Sequence, residues 1–432
     1  MAPPPRDRAF DNTLRMLADP YRFVSTLSAQ LGSDVIETRI LFRKAVCAVG
    51  DEAARVFYHP DRFTRRGAIP LTALLLLQDR GSAATLDAEA HRHRKRMLMS
   101  LMTPDRVQSL SDGVAESWRQ ELSRWEHGQP VRIADDVPRI LCRAVCWWAG
   151  VPLEEAEVEQ RTRELVAMYE GAGAVGPRNW RGQLLRARTE RWARRLVTRI
   201  RTGDLVVPRD TALHIIASHR DLDGKPLPAA HAAVELINLL RPTVAVERCV
   251  TFAALALHEH PESRARLLGG DEPEYLDWFV QEVRRFYPFF ALVAGRARMA
   301  FEWRGHRFGK GTWMLLDLYG TDHDPRSWER PDAFWPERFR NRDVSAFSPI
   351  PQGGGDPYVN HRCAGEWITI EIMKRAVRLL TTEMRYDVPA QDLAIDMSRL
   401  PAVPRSGFVI SNVKRVRTRQ GAQATQRAGA AT

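Results

Sequence analysis

The sequence predicts a mainly α-helical protein with small β-sheets, formed by one large domain of residues 1–411 and a disordered polar and basic tail of residues 412–432. From about residue 10 to residue 300, apolar residues recur at spacings of three and four, as amphipathic helices require. Short alternating stretches bounded by glycine occur near residue 40 and after residue 300, and these predict strands. No low-complexity linker interrupts the body, whereas the tail contains too few large apolar side chains to form a core.

The helical elements are exemplified by the segments "AARVFYHPDRF", "VAESWRQELSRW" and "TFAALALHEHPESRARLL". Each places its apolar residues on one face of a helix. The stretch before the first of them, "DVIETRILFRKAVCAVG", is rich in β-branched residues and predicts a hairpin, and Asp51 marks the start of the next helix. Later, "FEWRGHRFGKGTWMLLDL" alternates between glycine turns and predicts further strands.

Composition excludes several classes of protein. No apolar run reaches the ~18 residues of a membrane-spanning helix, and the first residues lack the apolar centre of a signal peptide. We therefore expect a cytoplasmic protein without an integral membrane anchor. Five scattered cysteines do not form a disulfide framework. Cys142 and Cys146 are interpreted as buried thiols, because no second pair stands at the spacing of a zinc site.

The net charge of +11 raises the question of an anionic partner. The densest basic stretch, residues 181–203, has the pattern of a helix with one apolar face and arginines elsewhere. Two interpretations stay open for it: a solvated surface helix, or contact with a membrane surface or nucleic acid. No stacking-aromatic or zinc-finger motif accompanies the arginines, and we expect no nucleic-acid partner.

The segment "IPQGGGDPYVNHRCAGEWITIEIMKRAVRLL" carries the clearest chemical signal. Its glycine-rich loop ends in Cys363, and a helix is predicted to begin directly afterwards. Backbone donors and the dipole at a helix N-terminus favour a thiolate, and His361 and Arg362 add positive charge. Such a thiolate suits a nucleophile or a metal ligand, while a buried cysteine in a glycine turn is the third interpretation.

A second segment narrows these choices. "FVQEVRRFYPFF" places Glu282 and Arg285 on one face of a helix and resembles the ExxR helix of the cytochrome P-450 superfamily. "DAFWPERF" resembles the loop whose arginine, here Arg338, completes a buried cluster with that pair. The order ExxR, "DPRSW", "PERF" and "HRCAG" extends the resemblance over nearly the whole chain. It implies the cytochrome P-450 fold, with haem b between a long distal helix and the cysteine loop and with its iron bound by the Cys363 thiolate.

Two departures from ordinary members of that superfamily indicate a branch. Where they carry an acidic residue and a threonine in the distal helix, this chain has Arg241 and Pro242 in "NLLRPTVAVE". The phenylalanine expected seven residues before the cysteine is replaced by Asp356. Both features, with "EVRRFYPF", "GAVGPRNW", "HRHRK" and "SLMTPDR", resemble the hydrogen-peroxide-using fatty-acid peroxygenases.

This resemblance implies hydroxylation of medium- or long-chain fatty acids at the α or β carbon, with peroxide as cosubstrate and no obligatory reductase. The alternatives are a redox-partner-dependent monooxygenase of another carboxylic acid, and a basic membrane-surface or nucleic-acid binder.

The resemblance also assigns roles at the distal side. The Arg241 guanidinium can pair bidentately with the substrate carboxylate, which then acts as the general acid and base for peroxide. Pro242 is expected to break the helix and make room; the alternative is a helix that ends at Leu240 with a capping arginine. Ala84 stands where relatives carry histidine or glutamine. Since histidine there is associated with decarboxylation to terminal alkenes, we expect hydroxylation to dominate.

The remaining site residues follow from the resemblance and from apolarity. The predicted lining of the fatty-acid channel is Leu76, Leu77, Ala172, Val175, Phe289, Phe290 and Leu292. The predicted haem-binding set is Gln352, Gly353, His361, Arg362 and Cys363 in the loop, with His91, Lys95, Arg66 and Arg296 at the propionates. The H-x-H pair of His91 and His93 is not interpreted as a metal site, because two histidines without further ligands seldom form one.

Overall fold

A computed structural model describes residues 3–342 and 344–416 of the chain. Helices dominate it, as the sequence predicts. They are α1 (Thr13–Ala18), α2 (Phe23–Leu31), α3 (Asp51–Phe57), α4 (Leu71–Leu77), α5 (Ala88–Met99), α6 (Pro104–Trp125), α7 (Ile133–Ala149), α8 (Glu155–Ala172), α9 (Pro177–Thr202), α10 (Ala212–Ser218), α11 (Ala229–Ala245), α12 (Glu247–Glu259), α13 (Pro261–Gly269), α14 (Tyr275–Phe286), α15 (Leu318–Asp322) and α16 (Glu366–Arg378).

Short strands form three small sheets in the described part of the chain. The strands are β1 (Val35–Ile40), β2 (Arg43–Val49), β3 (Phe63–Thr64), β4 (Val131–Arg132), β5 (Leu292–Ala297), β6 (Phe301–Trp303), β7 (His306–Phe308), β8 (Trp313–Asp317), β9 (Met384–Asp387) and β10 (Val409–Arg415). The largest sheet has the order β1-β2-β8-β5-β3, and the others are β4-β10-β9 and β6-β7. All pairs are antiparallel except β2 with β8.

The predicted hairpin consists of β1 and β2. A two-residue loop joins them, and Ile40 before this loop pairs with Arg43 after it. Both loop residues, Leu41 and Phe42, have positive φ angles of 52° and 59°. Two positive φ angles give the turn whose twist matches that of the strands, although glycine or asparagine is the usual choice there. The sequence therefore indicated the strands through their β-branched residues, while the turn itself carries no composition signal.

The main core is helical, and it holds α11 near the loop that precedes α16. Nearly every residue of α11 from Ala232 to Ala245 is buried, and α12 packs against both α7 and α16. Large side chains such as Trp118, Trp148 and Phe252 fill the space between these helices. As a result, α11 and the loop that precedes α16 belong to one packed unit.

The distal helix differs from the sequence expectation at Pro242. Helix α11 passes through Pro242 to Ala245, and a single turn residue, Val246, separates it from α12. The expected local break at the proline is therefore wrong, and so is the alternative of a helix ending at Leu240. Burial of nearly every residue around Pro242 stabilises the helix enough to offset the lost hydrogen bond to Asn238, which costs ~3 kcal/mol with the ring clash.

The predicted boundary of the tail is also wrong by a few residues. Strand β10 continues to Arg415, where its backbone pairs with Met384 of β9, so residues 412–415 are ordered. The predicted disorder of residues 417–432 lies outside the described residues. Within the described ranges, no helix is both long and apolar enough to cross a bilayer.

The basic stretch forms α9 as predicted. Trp192 and Leu196 are buried on one face, while the arginines of the opposite face are exposed. An exposed basic face is required both for a solvated surface helix and for contact with a membrane surface or nucleic acid.

Candidate active site

The cysteine loop closes on itself directly before α16. The backbone N–H of Cys363 donates to the carbonyl of Gln352 at 3.1 Å, and α16 begins three residues later at Glu366. Gly353 needs to be glycine, because its φ is +93° and a Cβ there would lie 2.9 Å from the Tyr58 hydroxyl. The predicted order of glycine loop, cysteine and helix is therefore what the chain forms.

Glu366 holds this loop in place, a role that the sequence did not reveal. Its carboxylate accepts hydrogen bonds from the guanidinium of Arg362 (2.6 Å between Nε and Oε2) and from that of Arg284 on α14. Arg284 also donates to Gln352 at 3.0 Å. A carboxylate in the first turn of a helix is favoured by the dipole, and here it joins three separate segments.

The ExxR residues form the predicted buried cluster. Arg285 binds both oxygens of Glu282 at 2.8 Å, and Nε of Arg338 lies 3.1 Å from Glu282 Oε2. The backbone N–H of Trp335 donates to the same carboxylate at 2.8 Å. The remaining guanidinium donors bind carbonyls of the loop after α15, including that of Ala333. This cluster fixes α14, and with it Arg284, against the loop region.

Basic side chains gather beside the cysteine loop without an acidic partner. The rings of His91 and His361 lie 4.0 Å apart, Lys95 donates to the carbonyl of Arg362, and the Arg65 guanidinium lies over the Phe57 ring. Neither Arg65 nor Lys95 forms an ion pair with any described residue.

The pKa values of these groups reflect this crowding. Burial, followed by the charge of Lys95, lowers the pKa of His91 to about 4, and burial lowers that of Lys95 to about 8. Burial with the charge of Arg65 brings the pKa of His361 well below its usual range. Positive charge therefore predominates in this cluster.

Two predicted members lie outside this basic cluster. Arg66 is exposed and directs its guanidinium to the carbonyl of Thr85 and to Asp87. Arg296 donates to the carbonyls of Gly67 and Gly311. The arginine that faces His91 and His361 is Arg65, which the sequence does not distinguish from Arg66. The two arginines of "FTRRG" follow β3 directly and point in different directions, and the sequence alone does not show which one points inward.

These residues fit a haem with two carboxylates. The donor set offers one cysteine sulfur at a helix N-terminus, and the basic cluster offers cations for the propionates. Burial raises the pKa of Cys363, whereas the charge of Lys95 and the N–H of Gly365 lower it. A metal ion deprotonates a coordinating thiol outright, so iron binding would overcome this preference for the protonated form.

Arg241 is the most unusual residue of the distal helix. It is 6% exposed, and its Nη1 donates to the carbonyl of Leu76 at 2.6 Å. No carboxylate among the described residues pairs with it. Burial, and next the charge of Arg186, lowers the pKa of Arg241 to about 9, while the Cys363 thiolate raises it.

Arg186 of α9 provides a contrast within the same site. It also donates to the Leu76 carbonyl, at 3.3 Å, but it pairs with Asp79 at 3.2 Å and with Glu190 at 2.9 Å. One carbonyl thus receives two guanidinium groups, of which one is neutralised by carboxylates and the other is not. The sequence places Arg186 in a basic stretch and does not indicate that its guanidinium binds the Leu76 carbonyl beside Arg241.

The short turn that carries Ala84, residues 83–85, is attached to α11. The N–H of Ala83 donates to Glu235 Oε1 at 2.7 Å, and Arg94 donates to the same oxygen at 2.9 Å. Glu235 lies on the helix that carries Arg241, so the turn and the guanidinium are held by one element.

The predicted channel residues separate into two groups. Leu76 and Ala172 are buried, and Leu77, Phe289 and Leu292 are partly buried against the main core. Val175 is 77% exposed and Phe290 is 39% exposed. The assignment of Val175 is therefore wrong, because it lies on the surface just before α9; apolarity alone did not distinguish it from lining residues.

Comparison with known proteins agrees with this geometry. The family model "Cytochrome P450" matches residues 271–397. The structure of cytochrome P450SP alpha (CYP152B1) in complex with (R)-ibuprofen is 48% identical, with a TM-score of 0.92 over 94% of this chain and 99% of that one. Cytochrome P450EX alpha (CYP152N1) with myristic acid is 39% identical, with a TM-score of 0.93 over 96% and 100%.

Curated relatives match at lower identity or over shorter stretches. Rhazimal synthase of Alstonia scholaris is 31% identical over 169 residues, which are 33% of this chain and 34% of that protein. The chain thus spans about a third of that relative, whereas it spans the CYP152 structures almost completely. With this coverage and identity, the chain belongs to the cytochrome P450 superfamily, in its branch of fatty-acid peroxygenases.

Proposed function

We propose that this protein hydroxylates fatty acids at the α and β carbons with hydrogen peroxide, and that Arg241 holds the substrate carboxylate. The observation that carries the proposal is the buried guanidinium of Arg241, which has no carboxylate partner among residues 3–342 and 344–416. An unpaired buried charge is costly, so a site that keeps one is suited to an anion from outside. The related structures contain (R)-ibuprofen and myristic acid, which are both carboxylic acids.

Haem b is the cofactor that the family implies. Cys363 would hold its iron, and Arg65, His91, Lys95 and His361 would face its propionates. When bound, a thiolate-ligated haem would favour cleavage of the O–O bond of peroxide, which supplies the oxidising equivalents that C–H hydroxylation needs.

The guanidinium has two tasks in this proposal. Its planar fork can bind both oxygens of the carboxylate, which fixes the head group, while the Leu76 carbonyl fixes the guanidinium. The bound carboxylate can accept a proton from one peroxide oxygen and return it to the other, as a general base and then a general acid. It thereby replaces the acidic residue and threonine of ordinary members. Peroxide already carries an oxygen atom at the required oxidation level, and the reaction then needs no reductase.

The pinned head group also determines which carbons react. With the carboxylate on Arg241, Cα and Cβ are the carbons nearest the head group, and the tail extends along the apolar side chains beside Leu76 and Leu77. Ala84 offers no side-chain hydrogen bond to the substrate. This favours hydroxylation, with decarboxylation to the terminal alkene as the minor outcome.

The test compares two sources of oxidant. Haem-loaded protein is incubated with myristic acid and either hydrogen peroxide alone or a reductase with NADPH, and products are identified by gas chromatography and mass spectrometry. We expect 2- and 3-hydroxymyristate with peroxide alone, and no product from methyl myristate, which lacks the carboxylate. Activity only with the reductase would support the redox-partner-dependent monooxygenase instead.

A further inference from the structure

A cluster of metal-ligating side chains lies apart from the residues of the active site. His93 of α5 meets His219 and Asp221, which follow α10, and one donor atom from each lies within 4.8 Å of the others. The two imidazole rings are 4.9 Å apart between centroids. The tertiary structure thus supplies His93 with the further ligands that the H-x-H motif lacks, while His91 faces His361 instead.

One side-chain nitrogen of this cluster is not satisfied by any contact with the described residues. The Nε2 atom of His219 is buried and has no hydrogen-bond partner among residues 3–342 and 344–416. Buried polar atoms without partners are few in native proteins, and an ion or a water molecule is the usual cause.

The contact of His93 is one that metal-bound histidines commonly make. Its Nε2 lies 2.8 Å from the carbonyl oxygen of Arg220, which can only accept, so Nε2 carries the proton. A ligating histidine usually donates its second ring nitrogen to a carbonyl or carboxylate, which fixes the ring. In this tautomer, the Nδ1 atom of His93 presents a lone pair.

Charge near the cluster also tolerates a cation. Arg94 binds both oxygens of Asp221, at 2.9 and 2.8 Å, and it also binds Glu235 at 2.9 Å. Two carboxylates therefore share a single guanidinium. A carboxylate has about four lone-pair sites, so Asp221 can bind a metal while it still accepts from Arg94.

We propose that His93, His219 and Asp221 bind a divalent transition-metal ion, of which zinc is the best match. Two imidazoles and one carboxylate suit zinc, whereas calcium and magnesium prefer oxygen ligands throughout. Three protein ligands leave a fourth position for water or another ligand. The ion would tie the segment between α10 and α11 to α5.

Zinc retention by the haem-loaded, tag-free protein tests this site. After treatment with EDTA, the protein is equilibrated with one equivalent of zinc, passed through metal-free gel filtration and analysed by inductively coupled plasma mass spectrometry. Wild type should retain one zinc ion per chain, and zinc should raise its melting temperature. His93→Ala and His219→Ala should lose both effects. His127→Ala, which changes an exposed histidine after α6, should keep them.

The haem absorption spectrum of each variant shows that the fold is intact, so a variant that loses haem is set aside in favour of the other. Failure of wild type to retain zinc would mean that a water molecule satisfies His219, and the proposal would be wrong. Equal retention in His93→Ala and His219→Ala would also overturn it, because zinc would then bind elsewhere.

Discussion

Replacement of Arg241 by leucine should make the protein more stable and at the same time remove fatty-acid binding. Leucine keeps the site apolar and removes a charge that has no carboxylate partner among the described residues. The depression of the Arg241 pKa to about 9 corresponds to about 4 to 5 kcal/mol of unfavourable folding free energy, because one pKa unit is worth ~1.4 kcal/mol. The lost hydrogen bond to Leu76 returns ~1 kcal/mol of this, although that carbonyl still accepts from Arg186.

The effect on binding should be large and opposite in sign. Loss of one partner from a buried ion pair costs roughly 3–5 kcal/mol, because the other charge is left without compensation. At a factor of ten for each ~1.4 kcal/mol, the Kd for a fatty acid should rise roughly 150- to 4,000-fold. Turnover with peroxide should fall below detection, since the carboxylate is also the proposed acid and base.

Binding is measured by the change in the haem spectrum on titration with myristic acid, and stability by thermal unfolding followed by circular dichroism. Arg186→Leu is the matched control, because it removes a guanidinium from the same carbonyl but one that Asp79 and Glu190 neutralise. That variant should lose stability, since two carboxylates become unpaired. A Kd within threefold of wild type for Arg241→Leu, or a lower melting temperature, would refute the reasoning about the unpaired charge.

Three further predictions concern other parts of the site and fold. Cys363→Ser should abolish the reduced carbon-monoxide band near ~450 nm that thiolate ligation implies; persistence of that band would mean that another group binds the iron. Ala84→His should raise the share of terminal alkene among the products, and an unchanged product ratio would show that this position does not control the outcome. Burial raises the pKa of Asp317 to about 7. Because unfolded aspartate titrates near ~3.9, this carboxyl contributes stability fully below about pH 4 and loses it as pH rises through 7. Asp317→Asn should therefore gain melting temperature relative to wild type between pH 5 and pH 8; a constant difference would contradict the assigned pKa.

The fold and the cysteine loop were predictable because their signals are local. Gly353, Cys363 and the start of α16 follow from residues that are close in sequence, and the pair of Glu282 and Arg285 needs only one helical turn. Arg338 could be added because its motif, "PERF", is distinctive. In each of these cases, a short pattern fixes both the element and the direction of the side chain.

The features that escaped prediction depend on tertiary contacts. The sequence "FTRRG" does not tell which arginine faces inward, and the answer, Arg65, comes from the packing of Phe57 beneath it. Likewise, the exposure of Val175 depends on the loop before α9 and not on its own apolarity. Pro242 was expected to interrupt α11, yet the helix continues through it, and the burial of most of its neighbours stabilises that helix.

Each charged group that would enter the proposed site has a candidate partner of opposite charge in the protein. If haem is bound, the porphyrin nitrogens and the Cys363 thiolate would together balance the charge of ferric iron. The two propionates would meet Lys95 and Arg65, and neither of these cations has an ion-pair partner among the described residues. Arg241 likewise has no carboxylate partner among the described residues, and the single carboxylate of the substrate would neutralise it. By this reasoning, the anionic head group contributes more to binding than the apolar tail does. A fatty alcohol or ester of the same length should therefore bind far more weakly than the acid.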